Sequence, residues 1–188
     1  MAKLVEQNDN DELVLRARTQ ADALGRLYEM YYERILGFCV HRLFNKEIAE
    51  DITSTVFLEV ARRIRTFSGR REQDFRNWLY TIAVNQVNAY IRKTSRRKRL
   101  LAQAAGSMKE PSSNDNGSSA PDWPRIYTAI LELKPEHQTI ITLRFFENLR
   151  FEQIGRILNI REATLRVTMH RILNKLRNHL QTALDGET

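Results

Sequence analysis

The chain has 188 residues, of which 42% are hydrophobic and 28% are charged, which suits one ordinary domain or two small helical ones. No segment approaches the roughly 20 apolar residues of a membrane span, and residues 1–10 are polar and acidic, unlike a signal peptide. The 30 Lys and Arg residues exceed the 23 Asp and Glu residues, giving a net charge of +7 that favours a polyanionic partner. We therefore expect a cytoplasmic protein without membrane insertion.

Cysteine and histidine usage argues against a metal or redox site. Cys39 is the single cysteine, which excludes an intramolecular disulfide, and the four histidines are scattered along the chain. We interpret Cys39 as a small core residue rather than a redox sensor. We expect neither a metal nor a cofactor.

Apolar residues recur at helical spacing throughout, and the chain holds only seven glycines and four prolines, so we predict an all-α fold. The first apolar stripe contains Leu24, Leu27, Tyr28, Tyr31 and Ile35. Asn45 is then expected to cap a helix, whose stripe is Ile48, Ile52, Val56, Val60 and Ile64. Phe67-Ser68-Gly69 should end this helix, and another is predicted over residues 75–91. About four helices thus form an N-terminal domain, assigned to residues 10–99.

Acidic residues begin the second of these helices: Glu47, Glu50 and Asp51. They either compensate the helix dipole or form an acidic patch for a basic protein partner. The pattern alone is compatible with both.

The helix over residues 75–91 carries a polar stripe opposite its apolar one. The apolar side holds Leu79, Ile82, Ala83, Val87 and Tyr90, and the other holds Trp78, Thr81, Asn85, Asn88 and Arg92. Six of the eight residues from 92 to 99 are basic: Arg92, Lys93, Arg96, Arg97, Lys98 and Arg99. Amides can pair with exposed base edges while basic side chains hold the backbone. The alternative to nucleic-acid binding is that the polar stripe simply faces solvent and the basic residues form a solvated helix end. Trp78 could equally be a core residue.

Residues 100–122 are predicted to form a flexible linker, because SSNDNGSSAP offers almost nothing to bury. Fully extended, some twenty residues reach at most roughly 70 Å. The flanking domains could therefore bind well-separated surfaces. Helical periodicity returns over residues 123–184, the second small domain.

This C-terminal domain contains a predicted helix-turn-helix. Residues 151–158 form a short helix with a small residue, Gly155, at the crossing, and Asn159 suits the left-handed conformation of a tight corner. In the next helix Leu165, Met169, Ile172 and Leu176 should face the core. The opposite face of this helix is a candidate DNA-reading face. Together with the preceding corner, where Arg161 suits a phosphate contact, it comprises Arg161, Thr164, Arg166, Val167, His170 and Arg171. A solvated helix hairpin with ordinary surface arginines is the alternative.

Taken together, these segments resemble sigma-70 family proteins. Residues 49–60, Phe67-Ser68-Gly69, residues 75–85 and the basic tract are similar to the second domain of that family. Residues 133–147 and the helix-turn-helix to Arg177 are similar to the fourth. With only these two domains, the chain resembles the extracytoplasmic-function subgroup.

The resemblance implies a function as a promoter-specificity subunit of RNA polymerase. It implies that the helix with Glu50 and Asp51 binds the clamp coiled coil of core polymerase and that the C-terminal domain docks on the flap. The minus-ten element would be recognised and opened by Thr81, Asn85, Asn88, Arg92, Lys93, Arg96 and Arg97. The minus-thirty-five element would be read by the helix that contains Arg166. Core polymerase and promoter DNA are the expected partners, and an anti-sigma protein is a further candidate.

Two other classes of protein are weighed against this interpretation. A helix-turn-helix repressor or activator would need a sensor or dimerisation domain, but the N-terminal domain ends in its own basic tract. A nucleic-acid enzyme would need a convergent catalytic set. Neither a Gly-rich phosphate loop nor a His paired with a nucleophile is found in the sequence, so we expect no enzymatic activity.

Overall fold

The computed structural model describes residues 2–105 and 123–185, with side chains for residues 9–97 and 126–181. All regular structure in these ranges is helical, which confirms the predicted all-α fold. The α-helices are α1 (Ala2–Arg16), α2 (Ala21–Leu43), α3 (Lys46–Arg63), α4 (Glu72–Ala105), α5 (Trp123–Leu131), α6 (Pro135–Ile141), α7 (Phe151–Leu158) and α8 (Glu162–Asp185). Within the described ranges, none of them is long and apolar enough to span a bilayer.

The N-terminal domain is built on α2, α3 and α4, whose apolar faces meet in one core. Its largest fully buried side chains include those of Phe38, Phe75, Leu79 and Tyr80. In α2 the predicted stripe holds for Leu27, Tyr31 and Ile35, which are buried. It is wrong for Tyr28, which is 43% exposed and packs edge-on against Phe57 of α3, with ring centroids 4.8 Å apart.

Helix α3 begins where its capping residue was predicted. The side-chain oxygen of Asn45 accepts a hydrogen bond from the Ile48 amide at 2.9 Å, and Asn45 itself has extended backbone. One of the unpaired donors at the helix start is thereby satisfied. Val56, Val60 and Ile64 are buried. A short 3₁₀ turn, Ile64–Thr66, ends the helical segment before Phe67.

Helix α1 was not identified from the sequence. It is held by a few specific contacts around the start of α4. The carboxylate of Asp11 accepts a hydrogen bond from the Glu72 amide at 2.6 Å, and Arg18 donates to the Gly69 carbonyl. Leu13, Val14 and Ala17 are buried beneath these contacts. The N-terminal segment therefore packs against the connection between α3 and α4 and stabilises it.

Helix α4 is longer than predicted. It spans Glu72–Ala105, so the expected helix over residues 75–91 is wrong at both ends, and the basic tract lies within the helix rather than after it. The physical reason is that residues 71–105 contain neither Gly nor Pro, and Arg and Lys are good helix formers. Residues 106–122 of the predicted linker lie outside the described residues.

The C-terminal domain packs α5 to α8 around buried side chains that are continuous with the core of the N-terminal domain and include Leu143, Ile154, Leu165 and Ile172. Helix α6 starts with Pro135 in its first turn, where a missing amide hydrogen is tolerated. It continues into a π-helical turn, Thr142–Phe146. The turn ends at Glu147, which faces the N-terminal domain.

We expect that replacing Asn45 by Ala lowers the free energy of unfolding by about 1 kcal/mol, because the start of α3 then loses its cap. Urea unfolding followed by circular dichroism measures the change. Asn45→Asp is the matched control, since its carboxylate can still accept the Ile48 amide. Equal destabilisation by both substitutions would show that the cap is not the source of the effect.

Candidate nucleic-acid and protein interfaces

The helix-turn-helix has the predicted geometry. Asn159 adopts the left-handed conformation with φ of 54°. A Cβ atom added to Gly155 would lie 2.7 Å from the Ile160 carbonyl oxygen, so the absence of a side chain allows the corner to close tightly. In α8, Leu165, Met169 and Ile172 are buried, and Leu176 packs partly buried against the same core.

The opposite face of α8 is open to solvent, with Arg161, Thr164, Arg166, Val167, His170 and Arg171 all exposed. Two of its arginines differ in their surroundings. The Arg166 guanidinium is 2.5 Å from the Glu162 carboxylate and lies over the Phe151 ring, 5.1 Å from its centroid. Arg171 forms no salt bridge with another described residue. Arg166 is therefore oriented by its neighbours, whereas no salt bridge with a described residue orients Arg171.

The polar stripe of α4 is only partly accessible. Asn85 is exposed, while Thr81 and Asn88 are half-buried. Trp78 is also half-buried and stacks on Phe67 with ring centroids 4.8 Å apart, which fits a structural role. The basic residues Arg92, Lys93, Arg96 and Arg97 are exposed along the same helix.

The C-terminal domain covers part of this stripe. The Thr81 hydroxyl donates a hydrogen bond to the Ile157 carbonyl of α7 at 3.3 Å. Asn85 and Asn88 line a crevice of about 230 Å³ whose other wall is formed by Glu136, Thr139, Ile140, Ile157, Leu158 and Ile160. This volume is below the roughly 300 Å³ at which small-molecule pockets begin. A nucleic-acid strand cannot reach Thr81 while α7 lies there.

Buried polar contacts hold the two domains together. Tyr80 of α4 donates a hydrogen bond to the Glu147 carboxylate, with both residues buried. Burial raises the pKa of Glu147, while the Tyr80 hydrogen bond and the nearby Arg34 act in the opposite direction. This pair was not predicted from the sequence, because helical periodicity does not indicate contacts between domains.

A second contact is made by Arg42 at the end of α2, which is 3% exposed. Its guanidinium donates to the Gln138 side chain at 2.6 Å and to the Pro135 carbonyl at 3.3 Å. Burial lowers the pKa of Arg42 to about 10. Beside it, the rings of His41 and Phe146 pack with centroids 4.0 Å apart. Polar and aromatic groups thus close the interface next to Tyr80.

The acidic start of α3 adjoins an exposed apolar surface. Asp51 is exposed and Glu50 half-buried, with Glu50 3.8 Å from Lys46. Two turns after Asp51, on the same side of the helix, Leu58 is 58% exposed. Sequence reasoning did not single out Leu58, which lies outside the predicted apolar stripe of this helix. The mixture of carboxylate and exposed leucine suits a protein partner better than DNA.

The described residues contain no group of His, Cys, Asp and Glu side chains arranged to hold a metal ion. Cys39 is fully buried, and burial raises the pKa of its thiol to about 11. Its thiolate form is therefore disfavoured at neutral pH.

Family models match both domains. The Sigma-70 region 2 model matches residues 27–97 and the Sigma-70 region 4 model matches residues 129–178. The first match covers α3 and most of α2 and α4, and the second covers α7 and most of α8.

Curated relatives match along most of the chain. It is 34% identical over 171 residues to the ECF RNA polymerase sigma factor BldN of Streptomyces coelicolor, covering 88% of this chain and 63% of BldN. It is 30% identical over 170 residues to the ECF RNA polymerase sigma factor SigW of Bacillus subtilis, covering 85% of this chain and 90% of SigW. It is 32% identical over 162 residues to the RNA polymerase sigma factor CarQ of Myxococcus xanthus, covering 85% of this chain and 90% of CarQ.

Solved structures share the fold. The chain matches the sigma factor RpoE, crystallised with the anti-sigma factor NepR from Bartonella quintana, with a TM-score of 0.65 at 18% identity, covering 84% of this chain and 96% of RpoE. It matches CnrH, in complex with the cytosolic domain of CnrY, with a TM-score of 0.68 at 15% identity, covering 95% and 99%.

An all-helical chain whose two domains match Sigma-70 regions 2 and 4 has the architecture of a two-domain transcription initiation factor. The chain belongs to the extracytoplasmic-function group of the sigma-70 family of RNA polymerase sigma factors. It binds core RNA polymerase and directs promoter recognition, DNA melting and transcription initiation.

We expect Tyr80→Phe to loosen the contact between the domains, because Glu147 then stays buried without its donor, which costs about 1–3 kcal/mol. Small-angle X-ray scattering should show a larger radius of gyration. Glu147→Gln keeps an acceptor for Tyr80 and should remain compact. A Tyr80→Phe chain as compact as the parent would mean that this hydrogen bond does not hold the domains together.

Proposed function

We propose that three separate surfaces of this chain bind different partners during transcription initiation. The acidic and apolar face of α3, centred on Glu50, Asp51 and Leu58, binds the clamp coiled coil of core polymerase. The polar stripe and basic residues of α4 recognise and open the minus-ten element. The outward face of α8 reads the minus-thirty-five element, and the C-terminal domain docks on the flap.

The observation that carries the proposal is the division of α8 into a buried face and an open one. Leu165, Met169 and Ile172 anchor the helix, so its exposed side chains are presented on a rigid support. Arg can bond guanine edges and phosphates, and Val and Thr can contact thymine methyl groups. A helix held in this way can enter a major groove without repacking its own domain.

Reading of the minus-ten element requires the domains to separate. In the closed arrangement Thr81 is bonded to Ile157 and Asn88 is half-buried. An amide reaches the Watson–Crick edge of a base only after that base has left the stack, and the base then needs room beside α4. We propose that binding to core polymerase draws α7 away from α4 and exposes the whole stripe.

The chain acts without catalysis of its own, and we place it in the cytoplasm, where polymerase and promoter DNA are found. Two solved neighbours are in complex with the anti-sigma factor NepR and with the cytosolic domain of CnrY, respectively. We propose a protein of the same kind as a partner here, for which co-purification from cells is the direct check.

Charge reversal at Asp51 tests the polymerase surface. Asp51→Arg should weaken binding of core enzyme, because disruption of a charged contact buried in an interface costs about 2–5 kcal/mol. Titration of core enzyme with fluorescently labelled chain measures the affinity. Glu12→Arg, a reversal at an exposed residue of α1, should bind normally. Unchanged affinity of Asp51→Arg would remove the residue from the interface.

The two arginines of α8 should have different roles. Arg166 is oriented by Glu162 and Phe151, so we expect it to make a directed contact with one base. Arg166→Ala should then cost about 1–3 kcal/mol and relax preference at one upstream position. Arg171 has no such support, so we expect it to contact a phosphate. Its loss should weaken binding to all promoter sequences alike and reduce the slope of log affinity against log salt concentration by about one unit.

Holoenzyme binding to a promoter library randomised in the upstream element, at two salt concentrations, separates these effects. Arg177→Ala, an exposed position later in α8, serves as the control. If the Arg166→Ala, Arg171→Ala double variant kept full sequence preference, α8 would not be the reader, and the C-terminal domain would serve only to dock on polymerase.

A further inference from the structure

A second cleft lies at the boundary between the domains, at the opposite end of α7 from Asn85. Its volume is about 600 Å³. The N-terminal domain contributes residues from the start of α4, and the C-terminal domain contributes residues from the start of α7. All of the lining residues are polar: Arg71, Gln73, Asp74, Arg76, Asn148, Arg150, Glu152, Gln153 and Arg156. The promoter-reading surfaces described above do not use this cleft.

The charge of the cleft is unbalanced. Four arginines face two carboxylates, and both carboxylates are engaged. Asp74 accepts hydrogen bonds from the Arg70 and Arg71 amides, each at 3.2 Å. Glu152 is paired with Arg156 at 2.6 Å. An excess of positive charge therefore remains on the other three arginines.

These three arginines, Arg71, Arg76 and Arg150, form no salt bridge with any other residue that the structure describes. The approach of these like charges from two domains is unfavourable. This cost is relieved if an anion occupies the cleft when the domains close.

The chemistry of the lining defines the class of anion. Arginine forms paired hydrogen bonds with phosphate oxygens, and the amides of Gln73 and Asn148 add neutral donors. Small-molecule pockets are mostly apolar, but this one is entirely polar, so it suits a highly charged ligand. Its volume exceeds what one phosphate group would fill.

We infer that this cleft binds a small oligophosphate anion, held by Arg71 and Arg76 from one domain and by Arg150 from the other. The bound anion bridges the domains and favours the closed arrangement. This site is independent of the assignments for α3, α4 and α8. Phosphates of a DNA backbone share the same chemistry, and the experiment is arranged to distinguish the two sources.

The test is calorimetric titration of inorganic pyrophosphate into the full chain at constant ionic strength, with sodium sulfate as the comparison anion. Arg76→Gln and Arg150→Gln should each weaken pyrophosphate binding by about tenfold, as expected for loss of a charge-assisted hydrogen bond. Arg177→Gln, on α8 outside the cleft, should bind like the parent. Arg150 is exposed, so its substitution leaves folding intact even if that of Arg76 does not.

Three results would overturn the inference. Equal pyrophosphate affinity in all variants, or equal affinity of the parent for sulfate and pyrophosphate, would show general attraction to a basic protein. Displacement of pyrophosphate by a short DNA duplex at matched phosphate concentration would assign the cleft to the DNA backbone. Weakening by Arg76→Gln but not by Arg150→Gln would show that the site does not bridge the domains. Because the assay contains neither polymerase nor promoter, its failure leaves the proposed function untouched.

Discussion

The buried hydrogen bond from Tyr80 to Glu147 is the contact on which the arrangement of the two domains depends. It joins the central helix of the N-terminal domain to the turn that follows the π-helical segment of the C-terminal domain. While the domains stay closed, loss of either partner leaves a polar group buried and unpaired. When the domains part, both groups return to water, so the net contribution of the bond is small. The hydrogen bond therefore fixes the geometry of the closed interface, and the domains can still separate.

Helix α4 links this contact to function. One side supplies Leu79, Ala83 and Val87 to the core, and the other side carries the polar stripe that α7 partly covers. The same helix continues through the basic tract to Ala105. A rigid rod of this kind keeps the amide stripe and the basic side chains in fixed register, which suits simultaneous contact with bases and backbone. If promoter DNA binds this stripe as proposed, α7 and the DNA compete for the same side of α4, and promoter opening and domain closure exclude each other.

The local features of the fold were predictable from the sequence, because they depend on residues close together in the chain. Asn45 as a cap, Asn159 in the left-handed corner and the buried side of α8 all follow from short-range rules. Helix α1 was missed because it packs through isolated contacts, such as Asp11 with the Glu72 amide, rather than through a strong apolar stripe. The true length of α4 was missed because a dense basic run was interpreted as the end of a helix.

Contacts between distant segments lay beyond sequence reasoning for a different physical reason. Arg42 and Gln138 are 96 positions apart, and their hydrogen bond is buried. Nothing in the surroundings of either residue along the chain indicates the other. The same holds for the cleft formed by Arg76 and Arg150, each of which resembles an ordinary surface arginine. The candidate DNA-reading residues, by contrast, share a helix face and were found by spacing alone.

We propose that the domains are closed in the free chain and separate on binding to polymerase. Fluorescence resonance energy transfer between dyes on cysteines introduced at Arg62 and Arg177, one in each domain and both exposed, tests it most directly. Transfer should be efficient in the free chain and fall markedly when core polymerase is added, before any promoter DNA is present. Equal transfer in the free and polymerase-bound states would show that the domains do not separate on binding.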